Sequence, residues 1–497
     1  MPAILTLAIC QRRLRRRMAL WLFGYEGYYE VGTLLLNFLL NDIEGPSIML
    51  EPDHNPNPRY MVDPPRVLRW LMSKVMGRVA NTAQIHKKRR AFEAKRNRQN
   101  EPHVVEYFHQ LDDPYSHLMA QVLAQFAERY QVKVVPWLIR ATGGKHQPEI
   151  QKLRAWARKD AQLVAPHFGL AFPEAAGLIP EATALKVAAS KLIALDAKDF
   201  VQQLQSVSEV LWSSDSEASE VGSEAEIEAA LDAGSARLAE LGHYSGATLY
   251  YGGEWYWGVD RLFHLEQRLQ DLGACHEPHA GYLVPRPIID VEGIDASGLN
   301  LDFYPSLNSP YTSIIFDRTI ALVGACGVNF HHKPVLPMIM RGVAATPAKG
   351  RYIFFDTKRE ADFFDVPFGH HVTPIGTPTR RAYALLPWAK SKGKDVALMS
   401  GLLRLAFSEG KALHQSKNLR SAVEAAGLDW FEAQDHIQRD DWKPWVSQHH
   451  EEMVEGMGLW GVPSYRLSGP EGQSDLEVWG QDRLWLVAAE IRRRANL

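Results

Sequence analysis

Hydrophobic and polar positions follow the same order in two parts of the chain. Residues 104–109 and 299–304 are short runs in which apolar and polar residues roughly alternate, as in strands that enter a sheet. Apolar residues at helical spacing follow each run, over 118–130 and 314–323. The pattern predicts a strand followed by a helix, and it predicts this unit twice.

A matching tetrapeptide stands between strand and helix in each part. Residues 113–116 read Asp-Pro-Tyr-Ser, and residues 309–312 read Ser-Pro-Tyr-Thr. Proline suits the first turn of a helix, because its missing N–H has no partner there in any case. We therefore expect positions 113 and 309 to start a helix at the end of a strand. The free N–H groups and the helix dipole stabilise an anion or a thiolate at such a position.

Two further correspondences occur in the same order along the chain. Residues 158–169 match 358–369 in their charged and aromatic positions, and 257–262 match 479–484. Three correspondences in one order predict a tandem duplication. The expected divisions are an N-terminal extension of unknown role at 1–101, a first copy at 102–273, a linker at 274–296 and a second copy at 297–497.

The second copy carries four motifs in sequence. They are Ser-Pro-Tyr-Thr at 309–312, Pro-Ala-Lys-Gly-Arg-Tyr at 347–352, Gly-Val-Pro-Ser at 461–464 and Trp-Gly-Gln-Asp-Arg-Leu at 479–484. This set resembles the DsbA-like thioredoxin superfamily, and within it 2-hydroxychromene-2-carboxylate isomerases and kappa-class glutathione transferases. The resemblance implies an α/β protein with two thioredoxin-like domains of the DsbA type, each with an inserted helical subdomain.

Dithiol chemistry is not expected at either tetrapeptide. Redox members of the superfamily use Cys-x-x-Cys, in which one thiolate attacks a disulfide and a second thiol resolves the intermediate. Positions 309 and 312 hold Ser and Thr, and positions 113 and 116 hold Asp and Ser. A hydroxyl cannot cycle through a disulfide. The three cysteines of the chain are far apart and have no redox or metal spacing: Cys10, Cys275 and Cys326.

The resemblance instead implies glutathione as the cofactor. Ser309 would donate a hydrogen bond to the glutathione thiolate, which is recycled in the isomerases and becomes part of the product in the transferases. Pro463, expected to be cis, would turn the backbone of Val462 toward an extended cysteinyl peptide. Gln481 and Asp482 resemble the pair that holds the glutamyl end of glutathione. The same motifs imply binding roles for Pro310, Tyr311 and Lys349, although Lys349 has the alternative of a solvated surface lysine.

The first copy departs from this pattern at two places. Asp113 occupies the position of the catalytic hydroxyl, and a carboxylate there would raise the pKa of a nearby thiol by repulsion between like charges. The segment expected to contain the cis-proline reads Ser-Gly-Ala-Thr at 245–248. We expect the first copy to have lost glutathione chemistry. Asp113 is alternatively a simple N-cap, whose side chain accepts from free helix N–H groups.

Composition is that of an ordinary globular protein. The 497 residues are 46% hydrophobic and 23% charged, with a formal net charge of −3, which argues against general nucleic-acid binding. Few cysteines favour a reducing cytoplasm, and residues 18–40 contain no clean apolar span for a membrane. The basic run at 87–98 predicts a solvated helix face. The acidic segment at 213–228 predicts a flexible loop, and the adjacent histidine pairs do not predict a metal site.

Two classes of function remain open. The first is a glutathione-dependent isomerase or transferase that acts on a small hydrophobic or aromatic substrate, with the two copies packed on each other. The second is a non-catalytic thioredoxin-fold binding or scaffold protein. In the first case the helical insert would shape the substrate pocket. Three tryptophans are pocket candidates, with burial in the core as the alternative: Trp388, Trp442 and Trp445.

Overall fold

The computed structural model describes residues 62–143, 146–173, 179–213, 222–343 and 345–495. The expectations for residues 18–40 and for the rest of the first 61 residues lie outside these ranges. Within the described residues, the chain has two helices, a first sheet with its helices, a connecting segment, and a second sheet with its helices.

The first two helices are α1 (Arg66–Val79) and α2 (Thr82–Gln99). The helix predicted for the basic run at 87–98 is confirmed by α2. The guanidinium of Arg89 in this run donates to both carboxylate oxygens of Glu254, at 2.6 and 2.7 Å. Arg69 in α1 is buried and donates to the carbonyl oxygens of Thr373 and Ile375, each at 2.6 Å. The two helices therefore contact both sheet-containing parts of the chain.

The first sheet has the strand order β2-β1-β3-β4. Strands β1 (His103–His109) and β2 (Val132–Leu138) are parallel, and β3 (Thr248–Tyr251) runs antiparallel to β1 and to β4 (Glu254–Trp257). We call the part from β1 to α8 the first domain. Its helices are α3 (Pro114–Arg129), α4 (Ile150–Val164), α5 (Ala182–Ile193), α6 (Ala197–Leu211), α7 (Glu224–Glu240) and α8 (Val259–Asp271).

The second sheet repeats this topology in the order β6-β5-β7-β8. Strands β5 (Asn300–Tyr304) and β6 (Asn329–His332) are parallel, and β7 (Ser464–Ser468) runs antiparallel to β5 and to β8 (Leu476–Trp479). We call the part from β5 to α16 the second domain. Its helices are α9 (Pro310–Cys326), α10 (Pro347–Phe363), α11 (Thr377–Ser391), α12 (Asp395–Phe407), α13 (Ser416–Ala425), α14 (Trp430–Gln434), α15 (Trp442–Glu451) and α16 (Leu484–Ala495).

Each domain is therefore a thioredoxin-like core with an inserted helical subdomain, as the sequence predicts. A parallel strand–helix–strand unit is followed, after the insert, by an antiparallel hairpin and a last helix. The insert consists of α4 to α7 in the first domain and α10 to α15 in the second. In the second domain the insert meets the loop before Ser309, because Tyr383 in α11 accepts from the N–H of Leu307 and donates to the carbonyl of Val335.

The flexible loop predicted for residues 213–228 is wrong in its second part. Helix α7 begins at Glu224, and Glu224 and Glu226 lie in its first turn. Carboxylates at this position interact favourably with the positive end of the helix dipole, so an acidic segment can be helical here. Residues 214–221 of the predicted loop lie outside the described residues.

Both predicted helix starts are confirmed by their N-caps. Ser309 Oγ accepts from the N–H of Thr312 at 3.1 Å at the start of α9. Asp113 Oδ2 accepts from the N–H and from the hydroxyl of Ser116, at 2.9 and 2.8 Å, at the start of α3. The N-cap interpretation of Asp113 is therefore confirmed. Burial raises the pKa of Asp113 to about 6 even though Ser116 donates two hydrogen bonds that lower it.

The raised pKa makes the stability of the first domain dependent on pH. Because the carboxyl has a pKa near 6 in the folded chain and 3.8 in the unfolded chain, its ionisation costs stability progressively between these two pH values, and the full cost is present above pH 6. Asp113→Asn keeps the accepting oxygen and removes the charge. We expect this variant to exceed the wild type in free energy of unfolding by about 2 to 3 kcal/mol at pH 8, and by little at pH 3.5, in denaturant titrations.

A matched control is Asp196→Asn, which changes another aspartate N-cap at the exposed start of α6. It reports the effect of removing a capping charge at an exposed helix start, which is subtracted from the effect of Asp113→Asn. An Asp113→Asn effect that does not change between pH 3.5 and pH 8 would contradict the assigned pKa.

Candidate functional site

Ser309 lies where the end of β5 meets the start of α9. Ser309 is 8% exposed. Its hydroxyl donates to the carbonyl oxygen of Val462 at 3.3 Å and accepts from the N–H of Thr312. Pro310 occupies the first turn of α9. The hydroxyl is therefore held between a helix N-terminus and one peptide carbonyl, in the position predicted from the tetrapeptide.

The loop that faces Ser309 contains the predicted cis-proline. The Val462–Pro463 peptide bond is cis. Gly461 precedes it, and a Cβ atom at this position would lie 1.8 Å from Cε2 of Trp479. Only glycine therefore lets Trp479 pack against the loop, where its ring lies 4.8 Å from that of Trp460. The structure thus brings together Ser309, Pro310, Val462 and Pro463.

A buried network reaches this site from the first domain. Tyr311, in the first turn of α9, donates its hydroxyl hydrogen to Asp356 Oδ2 at 2.8 Å. Arg261, in α8 of the first domain, binds the same carboxylate through Nε at 2.9 and 3.0 Å and through Nη2 at 2.9 Å. Arg261 and Asp356 are 4% and 1% exposed. The tyrosine of the Ser-Pro-Tyr-Thr tetrapeptide is thus linked, through one carboxylate, to an arginine of the other domain.

The same arrangement occurs in the opposite direction. Tyr115 donates to Asp160 Oδ2 at 2.8 Å, and Arg483 of the second domain binds Asp160 through Nε and Nη2, each at 2.7 Å. In both cases the tyrosine and the aspartate are 45 residues apart. The contacts of the two domains in this network are therefore related by an approximate twofold symmetry.

This symmetry corrects one correspondence drawn from the sequence. The match of 158–169 with 358–369 pairs Asp160 with Glu360, whereas the contacts make Asp356 the counterpart of Asp160. The error is four residues, which is about one helical turn, so residues of like charge on one helix face were exchanged. The correspondence of 257–262 with 479–484 agrees with the contacts, since Arg261 and Arg483 have equivalent partners.

Gln481 and Asp482 lie inside the network. The side-chain amide of Gln481 donates to Glu360 Oε2 at 2.8 Å, and Asp482 Oδ2 lies 2.9 Å from Nη1 of Arg261. Glu360 also binds Arg286, at 2.8 and 2.5 Å. Burial favours its protonated form, but Arg261 and Arg286 outweigh this and hold the pKa of Glu360 well below its usual value. The roles of Gln481 and Asp482 in ligand binding stay predictions. A ligand would have to compete with Glu360 for Gln481 and with Arg261 for Asp482.

Lys349 lies in the first turn of α10, with its backbone N–H capped by Thr346 Oγ1. Burial lowers the pKa of its amine to about 8. Among the described residues, none pairs with the amine. Tyr352 and Asp356 follow at spacings of three and seven, so Lys349 shares their helix face. Asp356 on that face accepts from the hydroxyl of Tyr311. The desolvated amine of Lys349, with no partner among the described residues, suits an anionic ligand group.

The first domain has a different structure at the corresponding positions. Asp113 replaces Ser309, and Ala247, with φ of 55°, stands where the second domain has Pro463. The cis peptides of the described residues are Val462–Pro463 and Gly469–Pro470, both in the second domain. The first domain therefore retains the tyrosine network without the serine and the cis-proline.

A cavity of about 530 Å³ lies between the segment 336–341 and helices α11 and α15 of the insert. Arg341 forms part of its wall and donates to the carbonyls of Leu336 and Trp460, at 2.9 and 2.7 Å. Burial lowers the pKa of Arg341 to about 10, and none of the described residues offers it a carboxylate. The cavity lining combines apolar and basic side chains, including Met340, Trp442, Pro444, Arg380 and His450.

Sequence reasoning missed Arg341, because a single arginine after Ile-Met carries no motif. The tryptophan candidates separate in the structure. Trp442 lines the cavity, whereas Trp388 stacks on His436 with ring centroids 5.4 Å apart, and Trp445 packs on His449.

Metal and thiol sites are not formed by the described residues. They contain no group of three or more His, Cys, Asp and Glu residues that could hold a metal ion. His331 and His332 bind different partners, Asp302 and Asp395. Cys275 and Cys326 are buried and free, and burial raises the pKa of Cys326, which makes it a poor nucleophile. None of the described helices has the length and apolar character needed to cross a membrane.

Comparisons with known proteins identify the second domain. A family model for DSBA-like thioredoxin domains matches residues 300–492. No curated protein matches the chain in sequence. Among solved structures, a 2-hydroxychromene-2-carboxylate isomerase is 19% identical with a TM-score of 0.33, over 39% of this chain and 94% of that one.

Two other structures show a similar degree of likeness. A thioredoxin-like oxidoreductase from Silicibacter pomeroyi is 16% identical with a TM-score of 0.25, over 39% of this chain and 86% of that one. The cytosolic disulfide reductase DsbM from Pseudomonas aeruginosa, determined with GSH, is 14% identical with a TM-score of 0.29, over 40% and 100%. These values are low, and the assignment depends on the family model. Residues 300–492 of this chain match the family of DSBA-like thioredoxin domains.

Proposed function

We propose that the chain is a glutathione-dependent isomerase or transferase whose chemistry takes place in the second domain. One observation carries the proposal: the Ser309 hydroxyl lies at the start of α9 and is hydrogen bonded to the carbonyl of Val462, the residue before cis-Pro463. A helix start provides N–H groups and a positive dipole end for an anion. A hydroxyl at this point can donate to a thiolate without taking part in redox chemistry.

The hydrogen bond between Ser309 and Val462 fits a cysteinyl ligand. The carbonyl of Val462 would accept the backbone N–H of a bound cysteinyl residue as a neighbouring strand does. The single hydrogen of the Ser309 hydroxyl would then be released from Val462 and directed to the ligand sulfur. Bound glutathione would supply a nucleophilic thiolate, and the chain's part is to hold and stabilise it.

Lys349 fits the remaining charge of glutathione. Its amine is desolvated and shares a helix face with the residues that hold Tyr311. A carboxylate of glutathione would compensate the charge that the described residues leave unpaired. Gln481 and Asp482 are proposed for the glutamyl end, in competition with Glu360 and Arg261.

The cavity beside Trp460 is proposed as the substrate site. Its apolar lining suits a small hydrophobic or aromatic body, and the guanidinium of Arg341, which has no carboxylate partner among the described residues, suits an anionic group on that body. Arg341 binds the carbonyl of Trp460, two residues before Val462, so the cavity wall and the thiol site share one loop.

We also propose that the two domains arose by tandem duplication, with boundaries near 102–273 and 297–497, and that they pack on each other through the reciprocal arginine contacts. The matching strand orders and the paired networks of Arg261 and Arg483 support this. The scarcity of cysteines supports a reducing cytoplasm as the location.

The alternative is a non-catalytic thioredoxin-fold binding or scaffold protein. A specific observation favours it: Ser309 is almost enclosed, and its hydroxyl hydrogen already has a protein acceptor in Val462. In that case Ser309 is an N-cap and nothing more, and its replacement affects stability alone.

Ser309→Gly separates these two functions. Glycine at an N-cap costs only a few tenths of a kcal/mol, so the variant loses the hydroxyl with little loss of helix stability. We expect the pKa of the thiol of bound glutathione, measured from thiolate absorbance during a pH titration, to be about one unit higher than in the wild type. Ser309→Thr, which keeps the hydroxyl, is the control and should retain most of the effect. An unchanged thiol pKa in Ser309→Gly would support the scaffold alternative.

Lys349 predicts a pH dependence of ligand affinity. Because its amine has a pKa near 8, its charge is present below pH 8 and is lost above it. S-methylglutathione has no free thiol, so its affinity reports this charge separately from thiol ionisation. We expect calorimetric affinity for S-methylglutathione to fall about tenfold in Lys349→Met at pH 7. In the wild type the affinity should fall as pH rises through 8, and in Lys349→Arg it should not.

Arg341→Met tests the cavity. Methionine keeps much of the apolar volume and removes the charge. We expect KM for an aromatic carboxylate substrate or the dissociation constant of an aromatic carboxylate ligand to rise at least tenfold, with little change for an uncharged analogue. Equal losses for the charged and the uncharged compound would show that Arg341 supports the loop and not a ligand.

A further inference from the structure

The contacts of Tyr311 extend the Ser309 site beyond the second domain. Ser309, Pro310 and Tyr311 are consecutive, and the tyrosine hydroxyl anchors this first turn of α9 to Asp356 in α10. Its acceptor, Asp356, is held in turn by two nitrogen atoms of Arg261. We infer that Arg261 of the first domain is a positioning residue for Ser309, acting through Asp356 and Tyr311.

The charges around Arg261 give it a second effect on the site. Three carboxylates lie within ion-pair distance of its guanidinium: Asp356 at 2.9 Å, Glu360 at 3.7 Å and Asp482 at 2.9 Å. Arg286, Arg359 and His264 contact members of the same group. Without Arg261, the negative charge of these carboxylates would be less fully compensated, and one of them, Asp356, contacts the start of α9 through Tyr311, where the proposed chemistry requires a thiolate. Arg261 therefore both fixes the first turn and balances the acidic residues behind it.

The first domain provides an internal comparison for this inference. Arg483, Asp160 and Tyr115 form the same chain of contacts with the same sequence spacing. This second network ends on Asp113, at a helix start without the serine and the cis-proline. Two networks of equal geometry therefore exist, and one of them leads to the proposed site. The inference also explains why the first domain keeps Arg261 in α8 although it lacks the site residues itself, because this arginine acts on the site of the second domain.

The inference uses the proposed function to place the chemistry at Ser309, but its test does not require glutathione. Ser309→Cys introduces a thiol at the helix start, and the pH dependence of its alkylation by iodoacetamide gives the pKa of that thiol. The parent chain provides the background from its own cysteines, two of which are buried. A chain that fails to bind glutathione would disprove the proposed function and leave this measurement intact.

We expect Arg261→Gln, in the Ser309→Cys background, to raise the pKa of the introduced thiol by about one unit. Arg261→Lys keeps the charge without the two-point contact to Asp356, and it should restore part of the shift. Tyr311→Phe removes only the link between Asp356 and α9 and should also raise the thiol pKa. This variant keeps the buried ion pair, so it provides the test if Arg261→Gln does not fold.

Tyr115→Phe is the matched control, because it removes the equivalent hydroxyl from the first domain. It should reduce the free energy of unfolding by about as much as Tyr311→Phe, because each variant loses a hydrogen bond to a buried carboxylate, and it should leave the thiol pKa unchanged. The inference is overturned if the thiol pKa stays constant in both Arg261→Gln and Tyr311→Phe. It is also overturned if Tyr115→Phe shifts the thiol pKa as far as Tyr311→Phe does.

Discussion

Two buried arginines, each bound to an aspartate of the other domain, are the contacts on which the rest of the structure depends. Arg261 with Asp356 and Arg483 with Asp160 are almost completely enclosed. A buried ion pair that loses one partner leaves an uncompensated charge, which costs about 3 to 5 kcal/mol. Each domain therefore needs the other to satisfy its own carboxylate. The tyrosines that follow Pro114 and Pro310 are fixed by the same two aspartates, so the helix starts depend on these pairs as well.

The two symmetric networks hold two helix starts that differ in their capping residue and in the loop that faces them. Both helix starts have a capping side chain, and both have a tyrosine that binds a buried aspartate. Only the second domain combines a capping hydroxyl with a cis-proline loop, whereas the first domain has an acidic cap and Ala247. Burial raises the pKa of Asp113 to about 6, and an anionic ligand beside it would disfavour the ionised carboxylate further. The first domain thus provides contacts to the second, while the second provides the groups for thiol chemistry.

Local features of the sequence were sufficient to predict the first strand of each domain, the two helix starts and the cis-proline, because each depends on a few adjacent residues. Asp113, Ser309 and Pro463 are such cases. The partners of Arg261 and Arg483 could not be predicted in this way. Asp356 and Glu360 are one helical turn apart and have the same charge, so a comparison of two sequences cannot show which of them meets Tyr311. The absence of a carboxylate beside Arg341 among the described residues and the enclosure of Gln481 also depend on residues distant in the chain.

The most direct measurement of the central claim is the number of glutathione molecules that one chain binds. Calorimetric titration of the full chain gives this number independently of any substrate. A chain with one intact site and one that lacks the serine and the cis-proline should bind one molecule of glutathione. Binding of two molecules would contradict the asymmetry of the domains, and absence of binding would contradict the assignment of thiol chemistry to Ser309.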